Sequence, residues 1–169
     1  DGNTAFVVAS TGRLQIIDVT DPANPSLLAA VTSGLSLTRA VDISSNGNVL
    51  YITDQIDGLV IFDVSDPSNP QNLGVLEVDG LPEDISVSPD GTKIYLANST
   101  GGLKIINVEN PASPSLLATF DTGGSAYGVN VSNNDEFAYV AGSNGIAMID
   151  VRVPASPALV SGLQTSETA

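Results

Sequence analysis

The apolar positions of this chain fall into short runs that recur in a fixed order. One run carries an aromatic near its centre: Phe6 in AFVVA, Tyr51 in LYIT, Tyr95 in IYLA and Tyr139 in AYVA, at spacings of 45, 44 and 44 residues. A second run follows each time, LQIIDV (14–19), LVIFDV (59–64), LKIINV (103–108) and IAMIDV (146–151), and its polar residue, Asp18, Asp63, Asn107 or Asp150, keeps spacings of 45, 44 and 43. This second run is apolar at nearly every position, as expected of a strand covered on both faces. A third type alternates: AVDIS (40–44), DISVS (84–88) and GVNVS (128–132). It predicts strands with one apolar and one polar face. A fourth set, SLLAAVT (26–32), NLGVLEV (72–78), SLLATFD (115–121) and ALVSGL (158–163), completes each period. No segment has a competing helical period.

The turns repeat in phase with the strands. After the second run come DPANP, DPSNP, NPASP and VPASP, in which Pro22, Pro67, Pro111 and Pro154 each precede another proline three residues on. Proline fixes φ and donates no ladder hydrogen bond, so these segments leave the sheet. Asp21, Asp66 and Asn110 stand before the first proline, where a side-chain oxygen can accept from nearby backbone N–H groups. Metal binding is the other reading of these carboxylates. The fourth copy, with Val153 in place of the acid and both prolines kept, favours the turn. SNGN (45–48) and PDGT (89–92) suit tight hairpins between the third run and the first.

Four short antiparallel strands in each period of about 44 residues predict an all-β propeller, one blade per period. A β-sandwich would not explain three markers recurring in phase. In the order A (inner), B (aromatic), C and D, the chain holds B-C-D followed by three complete A-B-C-D blades. The blade repeats run at about 1–38 (partial), 39–82, 83–125 and 126–169 of one propeller segment. Two expectations follow for the phase. The chain is a segment of a longer propeller, or another chain supplies the remaining strand and blades. Closure by the polar tail QTSETA (164–169) is the less favoured third. Uncovered blade faces call for a partner.

LVIFDVSDPSNP (59–70) and LQIIDVTDPANP (14–25) resemble the LVIVD-repeat family, and the resemblance extends over essentially the whole chain. Copies three and four depart from it with KIINVENP and MIDVRVP. SPDGTKIYLAN (88–98) is also similar to YVTN-type blades of surface propellers. The resemblance implies a β-propeller in an exported bacterial or archaeal protein. It implies no ligand or reaction, because these residues define the blade and not a site.

Charge narrows the partners. Five basic residues face 19 acidic ones, for a net −14. Nucleic-acid binding and attraction to anionic membranes are disfavoured, since both need a basic footprint. The acidity reads as solubility through self-repulsion, or more sharply as divalent-cation binding or a salty exterior. With no Cys and no His, disulfides, thiol catalysis and imidazole acid–base chemistry drop out. No apolar run approaches the ~20 residues of a membrane-spanning helix. The chain carries no signal peptide and reads as a mature or excised segment.

Candidate chemistry lies where inner strands line a channel. Asp42, Ser86 and Asn130 occupy equivalent positions, as do Ala40, Asp84 and Gly128, and as do Arg39, Glu83 and Tyr127. Alternation turns Val41, Ile43, Ile85, Val87, Val129 and Val131 toward the blade interfaces and the first two polar sets toward the channel. Calcium is the cation that Asp42, Asp84 and Asn130 would suit; a water-filled polar channel is the plainer reading and the favoured one. Asp54 and Asp57 in DQIDG (54–58) are weak metal candidates set against an Asp-Gly turn. No catalytic residue and no cofactor site is assigned: serines lack a His, and no GxSxG elbow occurs. The expected function is a non-enzymatic extracellular or cell-surface scaffold, adhesion or protein-interaction module. Its expected partners are other blades of the same parent protein or of another chain, with a protein or glycan ligand. The alternatives are a metal-assisted or lactonase-like propeller hydrolase with its site at the channel mouth, and a calcium-stabilised repeat of a surface filament or layer.

Overall fold

The computed structural model describes residues 2–32 and 34–165. Asp1 of the expected first turn, Ser33 and the end of the QTSETA tail lie outside them. The chain folds into an antiparallel sheet of three strands and three of four, each a simple meander. The first contains β1 (Thr4–Ala9), β2 (Arg13–Asp18) and β3 (Ser26–Val31). The second contains β4 (Thr38–Ile43), β5 (Val49–Asp54), β6 (Gly58–Asp63) and β7 (Gln71–Leu76). The third contains β8 (Asp84–Val87), β9 (Lys93–Ala97), β10 (Leu103–Asn107) and β11 (Ser115–Phe120). The fourth contains β12 (Ala126–Val131), β13 (Phe137–Gly142), β14 (Gly145–Asp150) and β15 (Ala158–Leu163). These are propeller blades in the order expected, a B-C-D sheet followed by three A-B-C-D sheets.

Period-two alternation gives each middle strand two buried faces, and so the blades stack. Leu14 and Ile16 of the first blade meet Leu50, Ile52, Val60 and Phe62 of the second. The opposite side of the second blade, with Tyr51, Leu59 and Ile61, meets Ile85, Ile94, Leu96 and Ile106 of the third. Tyr95, Leu103 and Ile105 of the third meet Val129, Val131, Ala138, Val140 and Ile149 of the fourth. The aromatic of strand B therefore faces the next blade each time. Tyr51 and Tyr95 are sealed, whereas Tyr139 of the last blade is 41% exposed. Ile146, Leu159 and Leu163 are exposed on the same blade. Inner-strand residues Val41, Ile43, Ile85, Val87, Val129 and Val131 all join these clusters, as their alternation requires.

A β-bulge sits at one repeat position in all four blades, between Ile16/Ile17, Ile61/Phe62, Ile105/Ile106 and Met148/Ile149 of strand C. The outer strand carries one extra residue there, which re-aims its side chains. Leu28, Leu73 and Leu117, the residues skipped in the first three blades, pack into the blade interfaces.

The expected stability cost follows burial and not repeat position. Tyr51→Ala should destabilise the fold by about 3–5 kcal/mol, as large aromatic truncations in a sealed core do. Tyr139→Ala, at the equivalent site, should cost less than about 1 kcal/mol. Urea unfolding of the two variants measures the difference.

Candidate functional site

The turn residues come first, because they settle where many carboxylates are used. Asp18, Asp63, Asn107 and Asp150, the polar markers of strand C, accept from the backbone N–H groups of Thr20, Ser65, Glu109 and Arg152 at 2.9–3.0 Å. Asp21, Asp66 and Asn110 do the same for Ala23, Ser68 and Ala112. Val153 cannot, yet its turn keeps the main-chain bond from Ser156 N–H. These groups are turn formers, as the proline spacing suggested.

The channel-lining candidates are also committed. Asp42 Oδ2 accepts the N–H of Val87, one blade on, at 2.8 Å, and Asp42 Oδ1 accepts the N–H of Ile43 at 2.8 Å. Asp84 Oδ2 accepts the N–H of Val129 at 2.9 Å, and Ser86 Oγ accepts that of Val131 at 3.3 Å. Each bond between blades joins an inner strand to the next, 45 residues along. Inner strands present one edge to strand B, which leaves N–H groups on the other edge needing acceptors. Short polar side chains of the preceding blade supply them. Asn130 stands at the matching position of the last inner strand, exposed.

Asp54 and Asp57 lie together in the B–C turn of the second blade. Asp54 is fully buried. Its Oδ2 accepts from Ser36 and Leu37 N–H at 2.6 and 2.9 Å, and its Oδ1 from Ile56 and Asp57 N–H at 2.9 and 3.1 Å. Burial acts to raise its pKa, but these four N–H bonds together outweigh burial and hold it below the ordinary carboxylate range. Asp57 accepts from Ser36 Oγ at 3.1 Å. Among the described residues no group of three or more acidic, His or Cys side chains is placed to hold a metal ion. Asn98 takes the position of Asp54 in the third blade. Its Nδ2 donates to the carbonyl of Asp79 at 2.5 Å, and its buried Oδ1 has no partner.

Two polar groups were not singled out by the spacing. Lys104 is buried in β10 and reaches Asp79 at 2.6 Å, which holds the Asp79 carboxyl below its usual range. Tyr95 donates its hydroxyl to Asp135 at 2.8 Å, and Lys93 pairs with the same carboxylate at 2.9 Å. Burial, then the Asp135 contact, pushes the Tyr95 phenol up. Asp135 has φ 57 and fills the left-handed turn position that Gly47 and Gly91 hold in the preceding blades. Both groups sit between blades; a charged residue inside an otherwise apolar strand C was the available signal for Lys104.

Removing the Asp54 charge should therefore loosen the loop before Thr38. Asp54→Asn sets an NH2 group against two N–H donors and should cost about 1–3 kcal/mol. A folded pKa below the unfolded one adds stability above the ordinary carboxylate value and loses it as pH falls through the depressed value. The acid limb of the stability curve, measured by melting at stepped pH, should be shallower in the variant.

The comparisons with known proteins agree with this architecture. A protein of Lactobacillus plantarum superimposes with a TM-score of 0.82 at 17% identity, over 96% of this chain and 55% of its own. A candidate 6-phosphogluconolactonase from Bacteroides uniformis gives 0.79 at 16% identity, over 98% and 56%. Sqt1 of Chaetomium thermophilum, bound to the N-terminus of the ribosomal protein L10, gives 0.77 at 21%, over 96% and 45%. The chain thus spans about half the length of each of these structures, and identities this low show the fold alone. No curated protein matches the sequence. The model of the LVIVD repeat matches residues 1–33, 39–76, 79–122 and 123–165, and the chain belongs to the LVIVD-repeat family.

Proposed function

We propose that this chain is a non-enzymatic β-propeller module of an exported or cell-surface protein, working as a scaffold, adhesion or protein-interaction platform. The observation that carries this reading is the use made of the channel-facing groups. Asp42, Asp84 and Ser86 hold one inner strand to the next through backbone N–H bonds. A hydrolase needs polar groups free to act on substrate or metal, and these are occupied as structural acceptors. The likeness to a candidate lactonase is one of fold and transfers no chemistry.

Surface supports the interaction side of the reading. The outward face of the last blade shows Tyr139, Ile146 and Val160 to solvent, at positions that in each earlier blade pack against a neighbour. A groove of about 300 Å³ lined by Asn130, Tyr139, Ala141 and Ile146 lies on that face. Another blade, from the same parent protein or another chain, fits this surface. The Sqt1 structure, a propeller holding the end of a ribosomal protein, is a fold-level precedent for protein binding.

Two measurements bear on the proposal together. Incubation with a panel of lactones and esters, with and without calcium, magnesium or zinc, should give no turnover above background. A chelator should leave the melting temperature unchanged to within about 1 °C, since a metal that binds the native state would raise it. Metal-dependent hydrolysis abolished by Asp42→Ala would overturn the reading in favour of the hydrolase; a large chelator-induced fall in melting temperature without turnover would favour the calcium-stabilised repeat.

A further inference from the structure

The meander places two kinds of loop on one face of the blades. The B–C turns (55–57, 98–102, 143–144) and the D–A loops (77–83, 121–125, and that before Thr38) share it, while the A–B and C–D turns occupy the other. Large apolar side chains are distributed unequally between the turns and loops of the two. On the first face Leu37 is 44% exposed, Leu81 48%, Ile56 63% and, at the start of β12, Tyr127 56%. Among the described residues the turns of the other face expose one, Val153, beside Leu27, Leu116 and Leu159 at the starts of their strands D. Leu37 and Leu81 stand at the same repeat position, which in the fourth blade is Ser125. The blade therefore folds with a polar residue there, and apolar exposure at the other two is not a demand of packing.

The same face carries a polar bridge. Arg39 donates from Nη2 to Gln55 Oε1 at 3.2 Å, and Gln55 donates from Nε2 to Glu83 Oε1 at 2.9 Å. Arg39 Nε lies 3.6 Å from Glu83 Oε2. The bridge links the second and third blades, with Leu37 two residues before Arg39, Ile56 next to Gln55 and Leu81 two residues before Glu83. A groove of about 240 Å³ opens beside Leu37, Arg39 and Gln55. The same face carries exposed carboxylates at Glu77, Asp79 and Asp121. The positive charge of Arg39 is partnered by Glu83 and that of Lys104 by Asp79, and beyond those pairs Asp57, Glu77 and Asp121 outnumber the exposed Arg13 at the start of β2, so the face is net negative.

We propose that this loop face is a docking surface for a protein segment that carries both basic and large apolar side chains. The proposal deepens the interaction-platform reading and rests on it. Apolar residues set in a polar, charged rim are the composition of an interface core. The acidic rim selects a basic partner by charge complementarity and disfavours an acidic one. The two blades are already locked by the Arg39–Gln55–Glu83 bridge, so little ordering would be required on this side.

The test uses the whole chain and a fluorescently labelled synthetic peptide of alternating Lys and Leu, followed by anisotropy. Peptides alternating Glu with Leu, and Lys with Ser, are the controls. The Lys/Leu peptide should bind at least about tenfold more tightly than either control, and more weakly as salt rises. Leu37→Ser combined with Leu81→Ser should weaken it by about tenfold or more, and Tyr127→Ala should also weaken it. Val153→Ser, on the other face, should change binding by less than about twofold. All four residues are exposed, and an unchanged melting temperature verifies that the variants fold. Equal binding of the Glu/Leu peptide, no binding at all, or binding indifferent to the Leu37/Leu81 pair overturns the proposal. Loss of binding through Ile146→Asp instead would move the docking surface to the last blade and leave the interaction reading standing, whereas lactone or ester turnover would strike that reading itself.

Discussion

The structure depends on strands that are buried on both faces. A strand C such as LVIF has Leu59 and Ile61 on one side and Val60 and Phe62 on the other, and neither pair is exposed. No single sheet can satisfy that; each blade is stable because its neighbours cover it. Much else follows from this requirement. The aromatic of strand B points forward to fill the interface, and the outer strand bulges at the same point in every blade, which turns Leu28, Leu73 and Leu117 inward. Blade stacking also brings inner strands side by side without pairing them, which leaves backbone N–H groups to be satisfied by Asp42, Asp84 and Ser86.

That last consequence links the fold to function. The polar residues best placed to form a channel site are those the stack needs as acceptors. A carboxylate holding a buried N–H group is costly to withdraw for another task. The inner-strand acceptors are thereby tied to the stack, whereas loops pack little and tolerate change. The loop face with Leu37, Ile56, Leu81 and Tyr127 exposes large apolar side chains away from the blade interfaces.

The site was less legible than the fold for a related reason. Asp42 and Asp84 read as lining a polar channel because alternation sets them opposite Val41 and Ile85. Alternation states which face a side chain leaves by, but not what stands there. The partner N–H of Asp42 belongs to Val87 and that of Asp84 to Val129, each a whole period away. Asp54 is a parallel case: DQIDG reads as an exposed Asp-Gly turn with two weak metal candidates, whereas the loop before Thr38 folds over and brings the N–H groups of Ser36 and Leu37 to one of them.

The sequence by itself determined the blade. Period, strand order, turn positions and the outward or inward sense of each residue are local properties, and four in-phase copies make the local signal redundant. The proline turns show it clearly: their role was legible in Asp21, Asp66 and Asn110, whose partners lie two residues away. Only the tertiary structure decided what each blade meets. The acceptors of the inner-strand N–H groups, the bulge that re-aims strand D, the pair of buried Lys104 with exposed Asp79 and the Arg39–Gln55–Glu83 bridge all join residues remote in sequence. Their geometry exists only once neighbouring blades have stacked, because packing and not propensity brings those groups within reach of one another.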